Sequence, residues 1–307
     1  MKIPYFDAHC DTISMALREE DSLRCNPYRV DLQRGGELGR YAQIFSLYGD
    51  VDSVRHVDLW THCCTLHKRF EREMRENRDL VCHCRSGAEL DAVVAQGRIA
   101  ALLSIESADL LECCTQRIET VAQWGVRMMN LTWNHANAIS GSNRLECDRG
   151  LSGHGKDFVR ELENNDIYVD VSHLSDAGFW DLAQIARRPI VASHSNSRSL
   201  CPHSRNLTDD MFRAIRDSGG VVGINYYSGF VGGKDDMDAL AAHIEHFLAL
   251  DGEKTLCFGG DMDGCDDLAA GVEGLESIPA LYEALQRRGY RETLLEDLFW
   301  NNLRRLF

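Results

Sequence analysis

The sequence predicts an α/β fold, a parallel (β/α)8 TIM barrel. Eight short apolar runs alternate with longer amphipathic ones, as in repeated strand–helix units. Most of the short runs are β-branched or fully apolar, the pattern of strands buried on both faces. A doubly wound open sheet is the alternative. The chain lacks a G-x-G-x-x-G or P-loop turn, which removes the commonest use of that fold.

The predicted strands are Ile3–Asp7, Ala42–Leu47, Ile99–Ile105, Val126–Thr132, Tyr168–Ser172, Ile190–Ser193, Val221–Tyr226 and Thr255–Gly259. Between them the 3.6-residue period predicts helices over Val54–Arg75, Cys114–Trp124, Gly155–Asn164, Ala177–Ala186, Asp209–Ser218 and Ala239–Leu250. Thr208 is placed to cap the helix that begins at Asp209, with Asp209 and Asp210 in its favourable first turn. Helices over Ile278–Arg288 and Arg291–Leu306 follow the last strand. No Pro/Gly/Ser-rich linker divides the chain, so residues 1–307 are read as one barrel domain.

The 307 residues are 44% hydrophobic, enough for a large core without cross-links. The formal charge is −15, with 48 acidic against 33 basic residues. Such a surface opposes nucleic acid and anionic membranes as partners. No run approaches the ~20 apolar residues of a membrane span, and the opening MKIPYFDAHCDT does not read as a signal peptide. The expectation is a soluble cytoplasmic protein whose twelve cysteines are reduced thiols. Cys82-His83-Cys84 and the pairs Cys63-Cys64 and Cys113-Cys114 lack the Cys-x2-4-Cys spacing of structural zinc sites.

What ends each apolar run is more informative. The first strand runs into His9-Cys10-Asp11, the third into Glu106, the fifth into His173, the sixth into His194 and the eighth into Asp261. In a parallel barrel these ends share one face, where active sites are built. Singly, each residue has a plainer reading as a hydrogen-bonded His or a capping carboxylate. Together they would be costly to bury without a positive partner, which a metal supplies. The spacing of His9-x-Asp11 points both side chains to one face of an extended chain. Imidazole and carboxylate donors suit zinc, with manganese, iron or cobalt as alternatives. Three histidines and two carboxylates exceed the usual ligand set of one catalytic zinc, so two ions sharing a carboxylate and a bridging water or hydroxide are expected.

The ordered set resembles the renal (membrane) dipeptidase family of zinc peptidases. The matching segments are Phe6-Asp7-Ala8-His9-Cys10-Asp11-Thr12, Ser104-Ile105-Glu106, Asp170-Val171-Ser172-His173 and Ala192-Ser193-His194-Ser195. Ser204-Arg205-Asn206-Leu207-Thr208-Asp209 and Phe258-Gly259-Gly260-Asp261-Met262-Asp263-Gly264 continue the match, and Glu273-Gly274-Leu275 through Trp300-Asn301-Asn302-Leu303 completes it. The resemblance implies a barrel with two Zn2+ ions, one held by His9 and Asp11, the other by His173 and His194, and bridged by Glu106. Asp261 would accept the proton of the bridging water and pass it to the leaving amine. Arg205 would bind the substrate's C-terminal carboxylate, which its planar fork suits. The family also implies dipeptide substrates, tolerance of a C-terminal D-residue and a homodimer. Asp263 reads more simply as a turn residue capping the next helix.

One departure stands out. Kidney-type members carry a His directly after Leu-Thr, assigned to polarising the scissile carbonyl, whereas this chain reads Leu131-Thr132-Trp133-Asn134-His135. His135 is the candidate for that catalytic and substrate-binding role, on the premise that two residues along an extended chain keep one face. Asn134 and Trp133 are the alternatives. Two other functional readings compete: a binuclear barrel hydrolase acting on another amide or a lactone, and a non-catalytic barrel that binds peptide or metal. Asp11 in place of a second His, and a Glu at the third strand end, favour the dipeptidase.

Overall fold

The computed structural model describes residues 2–50, 54, 57–144, 148–233 and 236–307. Its strands are β1 (Pro4–Cys10), β2 (Arg40–Tyr48), β3 (Val81–His83), β4 (Ile99–Glu106), β5 (Val126–Asn130), β6 (Tyr168–Asp170), β7 (Val191–Ala192), β8 (Val221–Ile224) and β9 (Leu256–Phe258). All pairings among them are parallel. Because β2 pairs directly with β4 and β1 with β9, eight strands close into a ring. These are the eight predicted strands. The ninth, β3, is an addition alongside the N-terminal half of β4, where Val81 faces Ile99.

The helices α1 (Thr12–Glu19), α2 (Leu32–Glu37), α3 (Leu59–Glu76), α4 (Gly87–Ala95), α5 (Gln116–Gln123), α6 (Gly153–Asn164), α7 (Asp176–Ile185), α8 (Asp209–Asp217), α9 (Ser228–Val231), α10 (Met237–Leu248) and α11 (Ile278–Arg287) cover the strands. Sequence periodicity missed α1, α2, α4 and α9, three of which have eight or fewer residues. The helix expected from Val54 begins at Leu59, capped by Asp58 accepting from the Thr61 N–H; part of the expected first turn, residues 55–56, lies outside the described residues. Thr208 caps α8 as expected, its hydroxyl accepting from the Met211 N–H.

The helix expected over Arg291–Leu306 is instead broken into α12 (Glu292–Glu296), one π turn (Asp297–Asn301) and α13 (Asn302–Arg304). The wider turn carries Phe299 and Trp300 onto the barrel floor, where Phe299 packs 4.5 Å from the Phe258 ring and Trp300 5.6 Å from Phe6. Each such aromatic contributes roughly 1.5–3 kcal/mol by burial.

An inner cluster draws one or two residues from every barrel strand, among them Phe6, Ala8, Ile44, Leu102 and Met128. Leu303 and Leu306 plug it from below. Strict alternation along β1 would then turn Cys10 inward with Phe6 and Ala8. Instead the register against β2 slips by one between Asp7 and Cys10, and Cys10 joins the outer cluster. The bulge re-aims His9 into the barrel mouth. Gly223 and Gly259 let β8 and β9 approach β7: a Cβ on either would lie within 2 Å of the Ser193 carbonyl oxygen, at 1.9 and 1.7 Å. Among the described residues, no helix is long and apolar enough to cross a membrane, and the eleven cysteines there are free.

Candidate metal centre

Five loops at one end of the barrel deliver the polar residues. Asp7, buried beneath them, locks the β1 and β9 ends together. It accepts from the His9 N–H at 2.9 Å and the Gly260 N–H at 3.1 Å, and Tyr5 donates its phenol to the same carboxylate. Asp170 does the same between β6 and β7, accepting from the N–H groups of Ser172 at 2.9 Å and Ser193 at 3.0 Å. These anchors fix the backbone that carries His9, Asp261, His173 and His194.

The ligand atoms then converge. His9 Nε2 lies 3.2 Å from Asp11 Oδ2, 3.8 Å from Glu106 Oε2 and 3.9 Å from Asp261 Oδ1. On the other side, His173 Nε2 lies 3.0 Å from Glu106 Oε1 and 3.1 Å from His194 Nε2. Glu106 therefore turns one oxygen to each set. Among the described residues, the groups of three or more His, Cys, Asp or Glu whose ligand atoms lie mutually within 4.8 Å are all here: His9–Asp11–Glu106, Glu106–His173–His194 and His9–His194–Asp261. Cys82, His83 and Cys84 are in none of these groups.

The residues fit divalent ions. Donors around a tetrahedral ion at ~2.0–2.1 Å stand about 3.3 Å apart, close to the separations found in both sets. Asp11 occupies the N-cap position of α1, yet its side chain makes no capping bond there, and its buried Oδ1 has no hydrogen-bond partner among the described residues. The capping explanation for this carboxylate therefore fails.

The electrostatics make the same demand. Burial, then the fields of Asp11 and Asp261, push the Glu106 carboxyl well above its usual range. Burial also raises Asp261. For His9, burial acts downward but is outweighed by Glu106, Asp11 and Asp261, which hold the imidazole at about 10. His173 and His194 are pushed well below the ordinary histidine value, first by burial and then by the charges of Arg205 and His9. The shift favours the neutral imidazole, the form that binds a metal. Two buried carboxyl groups, Asp11 and Glu106, and the partly buried Asp261 stand beside one imidazole held in its charged form and two pushed towards neutrality, an arrangement that a bound cation would stabilise.

Arg205 is 3% exposed, and none of its three guanidinium nitrogens has a hydrogen-bond partner among the described residues. Its guanidinium lies over the Phe230 ring at 5.1 Å. Burial lowers its pKa, and the fields of Asp261, Glu106 and Asp170 oppose that shift. Asp261 Oδ2 accepts from the Asn225 amide at 3.0 Å, a contact that the sequence reading did not anticipate. Asp263 is the N-cap of no helix among the described residues. It accepts from the Thr12 hydroxyl at 2.6 Å and the Arg29 N–H at 2.8 Å, tying the loops after β1 and β9 together.

His135 is not among the convergent groups. β5 ends at Asn130, so the alternation premise lapses before residue 135. Its ring lies 6.4 Å from that of Trp133, whose ring in turn lies 6.0 Å from His173 and 5.1 Å from Tyr48. Asn134 instead turns its amide oxygen to His173 Nδ1 at 3.1 Å.

The family description of membrane dipeptidases (peptidase family M19) matches residues 1–307. An uncharacterized protein in the pqqA 5′ region of Klebsiella pneumoniae is 34% identical over 231 residues, covering 71% of this chain and 85% of its own. Dipeptidase AC, a metallopeptidase of solved structure, is 25% identical and superposes with a TM-score of 0.90 over 100% of this chain and 98% of its own. A metallopeptidase from Rhodobacter sphaeroides, solved with a phosphinate mimic of the dipeptide L-Ala-D-Ala, is 24% identical and shares the fold with a TM-score of 0.91 over 100% of this chain and 99% of its own. With its barrel, its buried His/Glu/Asp metal site and a family match over its whole length, the chain belongs to the membrane dipeptidase family, the M19 metallopeptidases.

Proposed function

We propose that the protein hydrolyses the peptide bond of free dipeptides, including those with a C-terminal D-residue, using two zinc ions. Arg205 carries the reading. A buried guanidinium with three unpartnered nitrogens is costly unless a ligand brings an anion. The C-terminal carboxylate of a dipeptide is such an anion, and it accepts two parallel N–H bonds. The ligand of the Rhodobacter sphaeroides relative supports the D-configuration at that end.

His9 and Asp11 would hold one ion, His173 and His194 the other, and Glu106 both. Bound there, the ions supply a water acidified towards neutral pH and polarise the scissile carbonyl. Arg205 orients the substrate by its carboxylate. Asp261, its carboxyl raised by burial and braced by the Asn225 amide, takes a proton from the attacking water and returns it to the leaving amine.

The test is a dipeptide panel varying chirality at each position, run with and without a chelator, alongside cyclic amides and lactones. Chelator-sensitive cleavage of L,D- and L,L-dipeptides is expected. Cleavage of cyclic amides or lactones alone would overturn the proposal.

A further inference from the structure

We propose that Asn134 is the positioning residue of His173, holding its imidazole in the tautomer that leaves Nε2 free for metal. The inference rests on the two-ion reading above and adds a residue to it.

His173 Nε2 stands 3.0 Å from Glu106 Oε1 and 3.1 Å from His194 Nε2. To serve there it must present a lone pair, so the ring's single proton sits on Nδ1. That proton is buried and needs an acceptor. The Asn134 amide oxygen lies 3.1 Å away, on a residue that is itself buried. The end of β5 and the loop that follows it also grip the backbone at Ser172 and His173. The Thr132 hydroxyl donates to the His173 carbonyl at 3.1 Å, and the Asn130 amide to the Ser172 carbonyl at 3.0 Å. His173 takes a left-handed φ of 72°, a conformation that a residue with a side chain holds only when its surroundings impose it.

The three imidazoles differ in this respect. His194 Nδ1 meets the hydroxyl of its chain neighbour Ser193 at 2.6 Å. His9 Nδ1 has no hydrogen-bond partner among the described residues. His173 alone is set by a side chain from a different strand end. Fixing a ligand's far nitrogen in this way typically changes metal affinity by ~10–100-fold.

Two measurements on the intact protein test this. Nitrogen NMR of the metal-free protein reads the tautomer directly. A single Nδ1–H form of His173 is expected in the wild type, and a mixture of both in Asn134→Ala. Zinc titration of metal-free protein against a chromophoric chelator reads the sites. Asn134→Ala is expected to weaken one of two sites by ~10–100-fold and leave the other unchanged, while Asn134→Asp, which keeps an acceptor, restores it. An Asn134→Ala protein with a single tautomer and both affinities intact would overturn the role of Asn134. If Asn134→Ala fails to fold, Asn134→Asp decides: a lost site in a folded protein with a carboxylate acceptor would equally overturn it. A wild type that takes up no zinc would instead overturn the two-ion reading.

Discussion

Glu106 reaches His173 across the barrel mouth, Oε1 to Nε2 at 3.0 Å, although β5 runs between the strands that carry them. Its other oxygen faces His9 at 3.8 Å. One carboxylate thus serves both halves of the centre. Replacing Glu106 with Gln keeps the shape and removes the charge. Metal analysis after dialysis should show loss at both sites and not at one, with loss of activity. Retention of two ions per chain would contradict the bridging role.

The role proposed for Asp261 is to move protons. Asp261→Asn should lower kcat by ~10²–10⁴-fold, the range for a positioned acid–base group, with little change in KM. The decisive measurement pairs kcat with metal content. A near-normal kcat in a fully metallated variant would remove Asp261 from the proton path.

Arg205 gives a test at the substrate's other end. Arg205→Met should cost about 2–5 kcal/mol in kcat/KM for free dipeptides, as expected for truncating one partner of a buried charge pair. A C-terminally amidated dipeptide should be poor for the wild type and no worse for the variant. Equal losses on both substrates would show that Arg205 does not contact the carboxylate.

The metal-free protein should lose stability as pH rises. Its His9 imidazolium is favoured up to about 10 in the fold, against 6.5 when unfolded. A group whose pKa is raised by folding contributes stability that is fully present below pH 6.5 and lost as pH climbs through about 10. Calorimetry of chelator-treated protein should therefore show Tm falling across that window. Added zinc should raise Tm and remove the fall, because the ions replace the proton as counter-charge. A metal-free Tm that rises over the same range would refute this electrostatic account.

The barrel strands were legible because burial on both faces leaves a continuous apolar run that few other elements produce. β3 was not: Val81-Cys82-His83 is only three residues long and ends in a His. The residues that converge on the metal centre were legible for a related reason, since each follows a strand and parallel strands end together. The interactions that aim them were not. Nothing in Leu131-Thr132-Trp133-Asn134-His135 singles out Asn134, because its importance lies in where residue 173 falls. The β1 bulge was equally hidden: the alternation argument for His9-x-Asp11 pointed both side chains to one face but missed the register slip that turns them into the barrel mouth.

The seam between the first and last barrel strands is narrow. Within them β1 and β9 share one registered pair, Asp7 with Phe258, and Asp7 also anchors the Gly260 N–H. The centre straddles that seam, with His9 and Asp11 on one side and Asp261 on the other. During synthesis, then, the ribosome delivers the first ligands some 250 residues before the acid that completes the cluster. A nascent chain that ends between Phe258 and Asp261 carries every convergent histidine and the whole of β9, but lacks the carboxylate proposed to move protons. A metal ion captured by such a fragment would be held without the proposed proton shuttle, so the last group of the centre arrives only after the ring-closing strand has been made.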